Sequence, residues 1–192
     1  MGKLIVSEFI SLDGVIEDPG GAEGFEHGGW TFKFEQGEEG QRFKFEEVMA
    51  AESLLLGRVT YEGFAAAWPN MEGTGEFGER MNGMPKHVVS STLTDPDWNN
   101  SHVLDGDLVE EVTRLRAASG GDVLVGGSAQ LVQALVASDL VDELRLMVFP
   151  IVLGSGKRLF GNTPSAAILE LADSRPVGPD GIVILTYRAK RT

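Results

Sequence analysis

Two short stretches carry the residue types that hold phosphate. Leu54-Leu55-Leu56-Gly57-Arg58-Val59-Thr60 runs from an apolar strand through a glycine straight into a helix pattern. The first amides of such a helix have no acceptor within it, and the helix dipole favours negative charge there. Arg58 adds a cation and Thr60 a hydroxyl; the plainer reading is a strand-to-helix turn with glycine for geometry. Val123-Leu124-Val125-Gly126-Gly127-Ser128 repeats the arrangement. Its two glycines let a ligand approach the backbone, and Ser128 is a natural N-cap. Ligands of α/β sheets bind at the carboxyl ends of the strands. Two such turns on parallel strands would therefore face one edge and together hold a phosphate-bearing ligand.

Other candidates are weaker. Asp13, in Ser11-Leu12-Asp13-Gly14, ends the first strand pattern. Asp-Gly is a common turn pair; the alternative is a carboxylate placed at the ligand edge. Gly73-Thr74-Gly75-Glu76-Phe77-Gly78 matches G-x-G-x-x-G by letter, but Trp68-Pro69-Asn70 precedes it instead of a strand, so it reads as loop. Gly154-Ser155-Gly156-Lys157-Arg158 resembles the end of a P-loop, yet Ile151 and Arg158 stand where glycine and Ser/Thr belong. His27, His87 and His102 lack metal-ligand spacing, no nucleophile elbow occurs, and no metal is expected.

The 192 residues carry 29 acidic and 16 basic side chains, a net charge of −13, and no cysteine. A disulfide scaffold, a thiolate metal site and a cysteine nucleophile are excluded. The acidic balance argues against nucleic acid and anionic membrane surfaces as partners. The longest apolar run, Leu146 to Leu153, is broken by Pro150 and is far short of the ~20 residues of a spanning helix. Lys3 is followed by only three apolar residues before Ser7 and Glu8, which is no signal peptide. A cytoplasmic protein is expected.

The elements that must position these turns follow from periodicity. Strands are predicted over 3–12, 53–57, 86–91, 102–104, 122–125 and 143–152, with a closing antiparallel pair over 167–171 and 181–188. Helices are predicted over 39–51 and 59–67, after an Asp107 N-cap, and through Leu131, Val132, Leu135 and Val136. Residues 17–40 and 69–85 read as long glycine-rich loops. The alternation gives an α/β protein: a three-layer αβα sandwich on a mostly parallel sheet with antiparallel C-terminal strands, in one domain over residues 1–192.

Seven motifs in order resemble a family: Ser11-Leu12-Asp13-Gly14, Leu56-Gly57-Arg58-Val59-Thr60-Tyr61, Lys86-His87-Val88-Val89-Ser90, Gly126-Gly127-Ser128-Ala129-Gln130-Leu131, Val141-Asp142-Glu143-Leu144, Pro150-Ile151-Val152-Leu153-Gly154 and Gly156-Lys157-Arg158-Leu159-Phe160. Over nearly the whole chain this is similar to the dihydrofolate reductase-like proteins related to the C-terminal reductase domain of the bifunctional riboflavin-pathway deaminase-reductase. The resemblance implies bound NADPH, with NADH as the alternative. It assigns Gly57, Arg58, Val59 and Thr60 to a first phosphate turn. Ser90, Ser91 and Thr92 fall near the adenosine 2′-phosphate, and Gly126, Gly127, Ser128, Ala129, Gln130 and Leu131 form the diphosphate turn. Leu12, Val15 and Ile16 are implied beside the nicotinamide and substrate, Trp30 is expected to cap that pocket, and Asp13 is the candidate proton donor.

Three departures shape the reading. Ser91 stands where relatives often carry Arg or Lys, so preference for the phosphorylated cofactor rests on Arg58. Gln41 stands sixteen positions before Gly57, where dihydrofolate reductases carry the acid that binds pteridine. Leu131 replaces an aromatic. The expected function is an NADPH-dependent reductase of a small heterocyclic, carbonyl or imine substrate. The alternatives are a 5-amino-6-(5-phosphoribosylamino)uracil-type reductase, with Lys157 and Arg158 receiving the substrate phosphate, and a non-catalytic nucleotide sensor. A homodimer is expected.

Overall fold

Apolar residues alternating along the strands build both faces of the sheet. The structure, a computed structural model, describes residues 2–161 and 166–190. The strands are β1 (Leu4–Ser11), β2 (Ser53–Gly57), β3 (Lys86–Val89), β4 (Ser101–Leu104), β5 (Val123–Gly126), β6 (Glu143–Phe149), β7 (Leu169–Val177) and β8 (Ile182–Ala189). The helices are α1 (Gly37–Ala50), α2 (Arg58–Ala67), α3 (Gly75–Gly83), α4 (Leu108–Ala118) and α5 (Ala129–Ala137). Among the described residues the strand order is β4-β3-β2-β5-β1-β6-β8-β7. β1 to β6 pair in parallel; β8 is antiparallel to both β6 and β7. This is the mostly parallel sheet with antiparallel C-terminal strands that the sequence predicts.

Period two sorts neighbouring side chains to opposite faces. Leu4, Val6, Leu55, Val123 and Val125 pack with Val112 of α4 and Val132 and Leu135 of α5. Ile5, Leu54, Leu56, Val88 and Leu124 pack with Val48 of α1, Tyr61 of α2 and Met81 of α3. A third cluster joins Trp30, Met147, Phe149, Val177, Ile182 and Ile184 under the antiparallel half.

Three elements differ from the sequence reading. Residues 75–83 are a helix inside the predicted loop. Its glycines conceal an apolar stripe: Met81 is buried, and Phe77 packs against the second cluster. β6 stops at Phe149, because Pro150 has no amide for the ladder. β7 runs on to Val177, past a register shift between Leu171 and Asp173. Most of its residues are exposed, so the strand carries no alternating apolar signal.

Candidate functional site

Sheet register brings the two glycine turns together. β2 and β5 are neighbours, with Leu55 opposite Val125, so Gly57 and Gly127 leave the sheet side by side. The turns then interlock. A Cβ on Gly57 would collide with Ser128 Oγ, and a Cβ on Gly127 would lie 2.7 Å from Thr60 Cγ2. Gly127 also holds φ +64°, a left-handed conformation that glycine adopts without penalty.

Among the described residues α4 has a side-chain cap, whereas α1 and α3 lack one as the two glycine-turn helices do. Asp107 caps α4 by accepting from the amides of Val109 and Glu110 at 3.0 and 3.1 Å. Among the described residues neither the N-cap of α2, Gly57, nor that of α5, Ser128, makes a side-chain cap bond. Ser128 occupies the predicted N-cap position, but at φ 66°, and its hydroxyl lies against Gly57 instead of its own helix. Two bundles of amides are thus left for an external acceptor.

A groove of about 460 Å³ opens beside them. Of the predicted cofactor residues, Gly57, Arg58, Val59, Ser90, Ser91, Thr92, Ser128, Gln130 and Leu131 line it. Thr60 and Gly127 do not line it but adjoin each other. Gly126 and Ala129 do not line it either. Asp105 and Gly106, after β4, complete the wall and were not anticipated. Their signal was faint: a short loop between a weak strand and a capped helix.

The polar groups of the groove are partly committed. Arg58 Nη1 donates to both carboxylate oxygens of Glu62, at 2.8 and 2.9 Å, one helical turn on. This exposed pair is easily exchanged for another anion. Ser90 Oγ accepts from the amides of Thr92 and Leu93 at 3.1 and 2.9 Å, which makes it a turn-former more than a ligand contact. Ser91 is exposed.

The structure sets Asp13, the expected proton donor, as a clasp. Its carboxylate accepts from Ser11 Oγ at 2.7 Å and from the amides of Leu153 and Gly154 at 3.1 and 2.9 Å. These bonds, that of Ser11 first, hold its pKa down at about 2. A carboxyl ionised at every ordinary pH has no proton to donate. Asp13→Ala should cost about 1 kcal/mol by leaving the Leu153 and Gly154 amides unpaired, read by urea unfolding. Because the folded pKa lies below the ordinary 3.8, the stabilisation is present above that pH and is lost as pH falls from 3.8 towards 2. Acid titration of the wild type, but not of the variant, should show that limb.

The other substrate-side residues divide. Leu12 is 63% exposed beside Ile151, to whose carbonyl its amide donates. Val15 and Ile16 are buried, at 0% and 7%. Trp30 is corrected from pocket cap to core. It is fully buried, stacked edge-on against Phe149 at 5.3 Å, with Nε1 donating to the Glu17 carbonyl. Lys157 and Arg158 are neutralised: Lys157 Nζ lies 3.0 Å from Glu17, and Arg158 pairs with Asp13.

Sequence reasoning missed Glu8. It lies within β1, is 5% exposed, and its Oε1 has no hydrogen-bond partner among the described residues. Burial raises its pKa to about 8. The available signal was one charge inside the run Leu4-Ile5-Val6-Ser7-Glu8-Phe9-Ile10.

Comparison with known proteins places this geometry. The chain is 29% identical over 139 residues to the Bacillus subtilis protein YyaP, covering 71% of this chain and 73% of that one. It is 26% identical to YwjB of the same organism, covering 92% of each. Among solved structures, a putative riboflavin biosynthesis protein from Shewanella sp. PV-4 superposes with a TM-score of 0.79 at 24% identity, covering 98% of this chain and 99% of that one. A pyrimidine reductase-like protein from Corynebacterium diphtheriae gives 0.68 at 12% identity, over 100% and 93%. Dihydrofolate reductase from Enterococcus faecalis, complexed with NADP(H), gives 0.59 at 16% identity, over 99% and 98%. These likenesses establish the dihydrofolate reductase-like fold. The family model described as the RibD C-terminal domain matches residues 2–183, and the chain belongs to that reductase-like family.

Proposed function

We propose that this chain is an NADPH-dependent reductase of a small heterocyclic, carbonyl or imine substrate, working in the cytoplasm as a homodimer of one-domain subunits. The observation that carries the reading is the pair of interlocked, uncapped turns at Gly57 and Gly127 beside one groove. Their residues fit a dinucleotide. The amides opening α2 and α5 would hold the diphosphate, and Arg58 with Ser91 would meet the 2′-phosphate. When bound, the dinucleotide supplies the reducing electrons. The chain's own work is to bind it, orient it and exclude water.

Charge in the groove makes cofactor choice testable. Arg58 attracts the 2′-phosphate, while Asp105 in the same lining repels it. Arg58→Ala should weaken NADPH about tenfold or more relative to NADH, the loss of a charge-assisted bond. Asp105→Asn should shift the ratio the other way by a few-fold. Energy transfer from protein tryptophan to the reduced ring reads both. Equal losses for the two cofactors would refute the 2′-phosphate role of Arg58. The test of the whole reading is binding of NADPH, followed by its oxidation with quinones, aldehydes or pterins. Absence of binding would refute it, and binding without oxidation of any acceptor would favour a sensor.

A further inference from the structure

Pairing of β1 with β5 ends at Ser7 opposite Gly126, whereas pairing of β1 with β6 continues to Ser11 opposite Phe149. The parallel sheet therefore splits between β1 and β5, beside the second glycine turn. Glu8 is the first β1 residue past the split. It alternates with Val6 and Ile10, whose side chains pack on the α5 face with Ala129 and Leu131. Its carboxyl takes the Gly127 amide, while Oε1 has no partner among the described residues. Gly127 in turn touches Thr60 of the first turn. A nine-tenths-buried carboxyl thus adjoins the dinucleotide cradle at its β1 side, away from Ser91 and Asp105.

A buried acid with an unused oxygen is costly, and such groups cluster at functional sites. The surrounding charges do not explain it. Lys44 and Glu47 of α1 act on Glu8 with opposite signs. They are already engaged with each other at 2.6 Å and with Ser7. Arg145 of β6 turns to Glu143 and Glu47, and the residue opposite Glu8 is Leu146.

Resting on the reductase reading, and on a nicotinamide ring that enters the split, we propose that Glu8 senses the redox state of the dinucleotide, neutral with the reduced form bound and ionised with the oxidised one. The oxidised ring carries a positive charge and the reduced ring none. A carboxylate in a low-dielectric split is stabilised by the first and gains nothing from the second. Binding of the oxidised form to the neutral acid then releases one proton from Glu8 to water. The reduced form binds with the proton kept. Since the free acid titrates at about 8, the coupling is visible near neutrality. It favours loading of the reduced form at neutral pH and below.

The experiment measures binding, not turnover. NADPH and NADP⁺ are titrated separately into the full-length wild type and Glu8→Gln at pH values of about 6.5 and 9.5. The 2′-phosphate titrates in both ligands and cancels in the ratio of their dissociation constants. In the wild type, Kd for NADP⁺ over Kd for NADPH should fall about tenfold or more as pH rises, because linkage is reciprocal. In Glu8→Gln the ratio should stay flat. Calorimetry at pH 7 in two buffers of different ionisation enthalpy should count about one more released proton for wild type with NADP⁺ than with NADPH. That measurement needs no variant. A flat wild-type ratio with both ligands bound would overturn the proposal, as would a slope that survives Glu8→Gln. Failure of either ligand to bind would instead overturn the reductase reading beneath it.

Discussion

Gly127→Val is expected to weaken NADPH binding by about 100-fold, or 2.8 kcal/mol. It should also destabilise the fold by about 1–3 kcal/mol, the usual cost of a strained backbone conformation. At φ +64° a β-branched residue is strained wherever its side chain goes, and here its Cβ would lie 2.7 Å from Thr60 Cγ2 and 2.8 Å from Thr60 Oγ1. Relief must come from parting the two turns, which separates the amides that would share one diphosphate. Gly126→Ala is the matched control. Its added Cβ meets nothing within 4 Å of the protein and its φ is not left-handed, so the urea midpoint should stay in place. Fluorescence titration with NADPH, alongside urea unfolding of each variant, reads both quantities. Wild-type affinity in Gly127→Val would mean that the interlocked turns do not form the cradle.

Trp30→Ala is expected to cost about 3–5 kcal/mol, the range for deleting a large buried aromatic. Its indole is fully buried between Phe149 and the third apolar cluster, and Nε1 anchors the 17–36 connection through the Glu17 carbonyl. Loss of the ring empties a site bordered by Met147, Val177, Ile182 and Ile184. A residue that merely covered a substrate would behave differently: its removal would raise KM and leave the urea midpoint in place. The midpoint therefore decides between the two roles.

What the sequence made legible was whatever announces itself locally. The run Leu54-Leu55-Leu56 before Gly57 could only be a buried strand, and Asp107 before Leu108 and Val112 could only be a capped helix start. β2, α2 and α4 stand where those signals put them, within a residue. The adjacency of Gly57 and Gly127 was readable as an expectation, because strands feeding such turns share one sheet edge. Its interlocking through Thr60 and Ser128 was not, since it depends on register. α3 was hidden by three glycines, whose low helix propensity is outweighed by packing of Met81 and Phe77. Asp13 and Trp30 are set differently from expectation for one reason. Residue type suggests a chemistry, but partners decide whether a carboxylate is a donor or a clasp and whether an indole is a lid or a keystone. Glu8 was overlooked because a lone charge in an apolar strand gives no sign of which side of a split it will occupy.

The placement of β1 also bears on how the chain reaches this state. Its neighbours lie far along the sequence: hydrogen bonds from its beginning reach residues 119 and 138 positions downstream. A ribosome therefore releases this buried, central strand long before either flanking strand exists. Such long-range closure is slow, and the waiting segment is the kind that chaperones hold. A strand made well before both of its partners must wait for them, so the newborn protein is vulnerable through the very strand that becomes its axis.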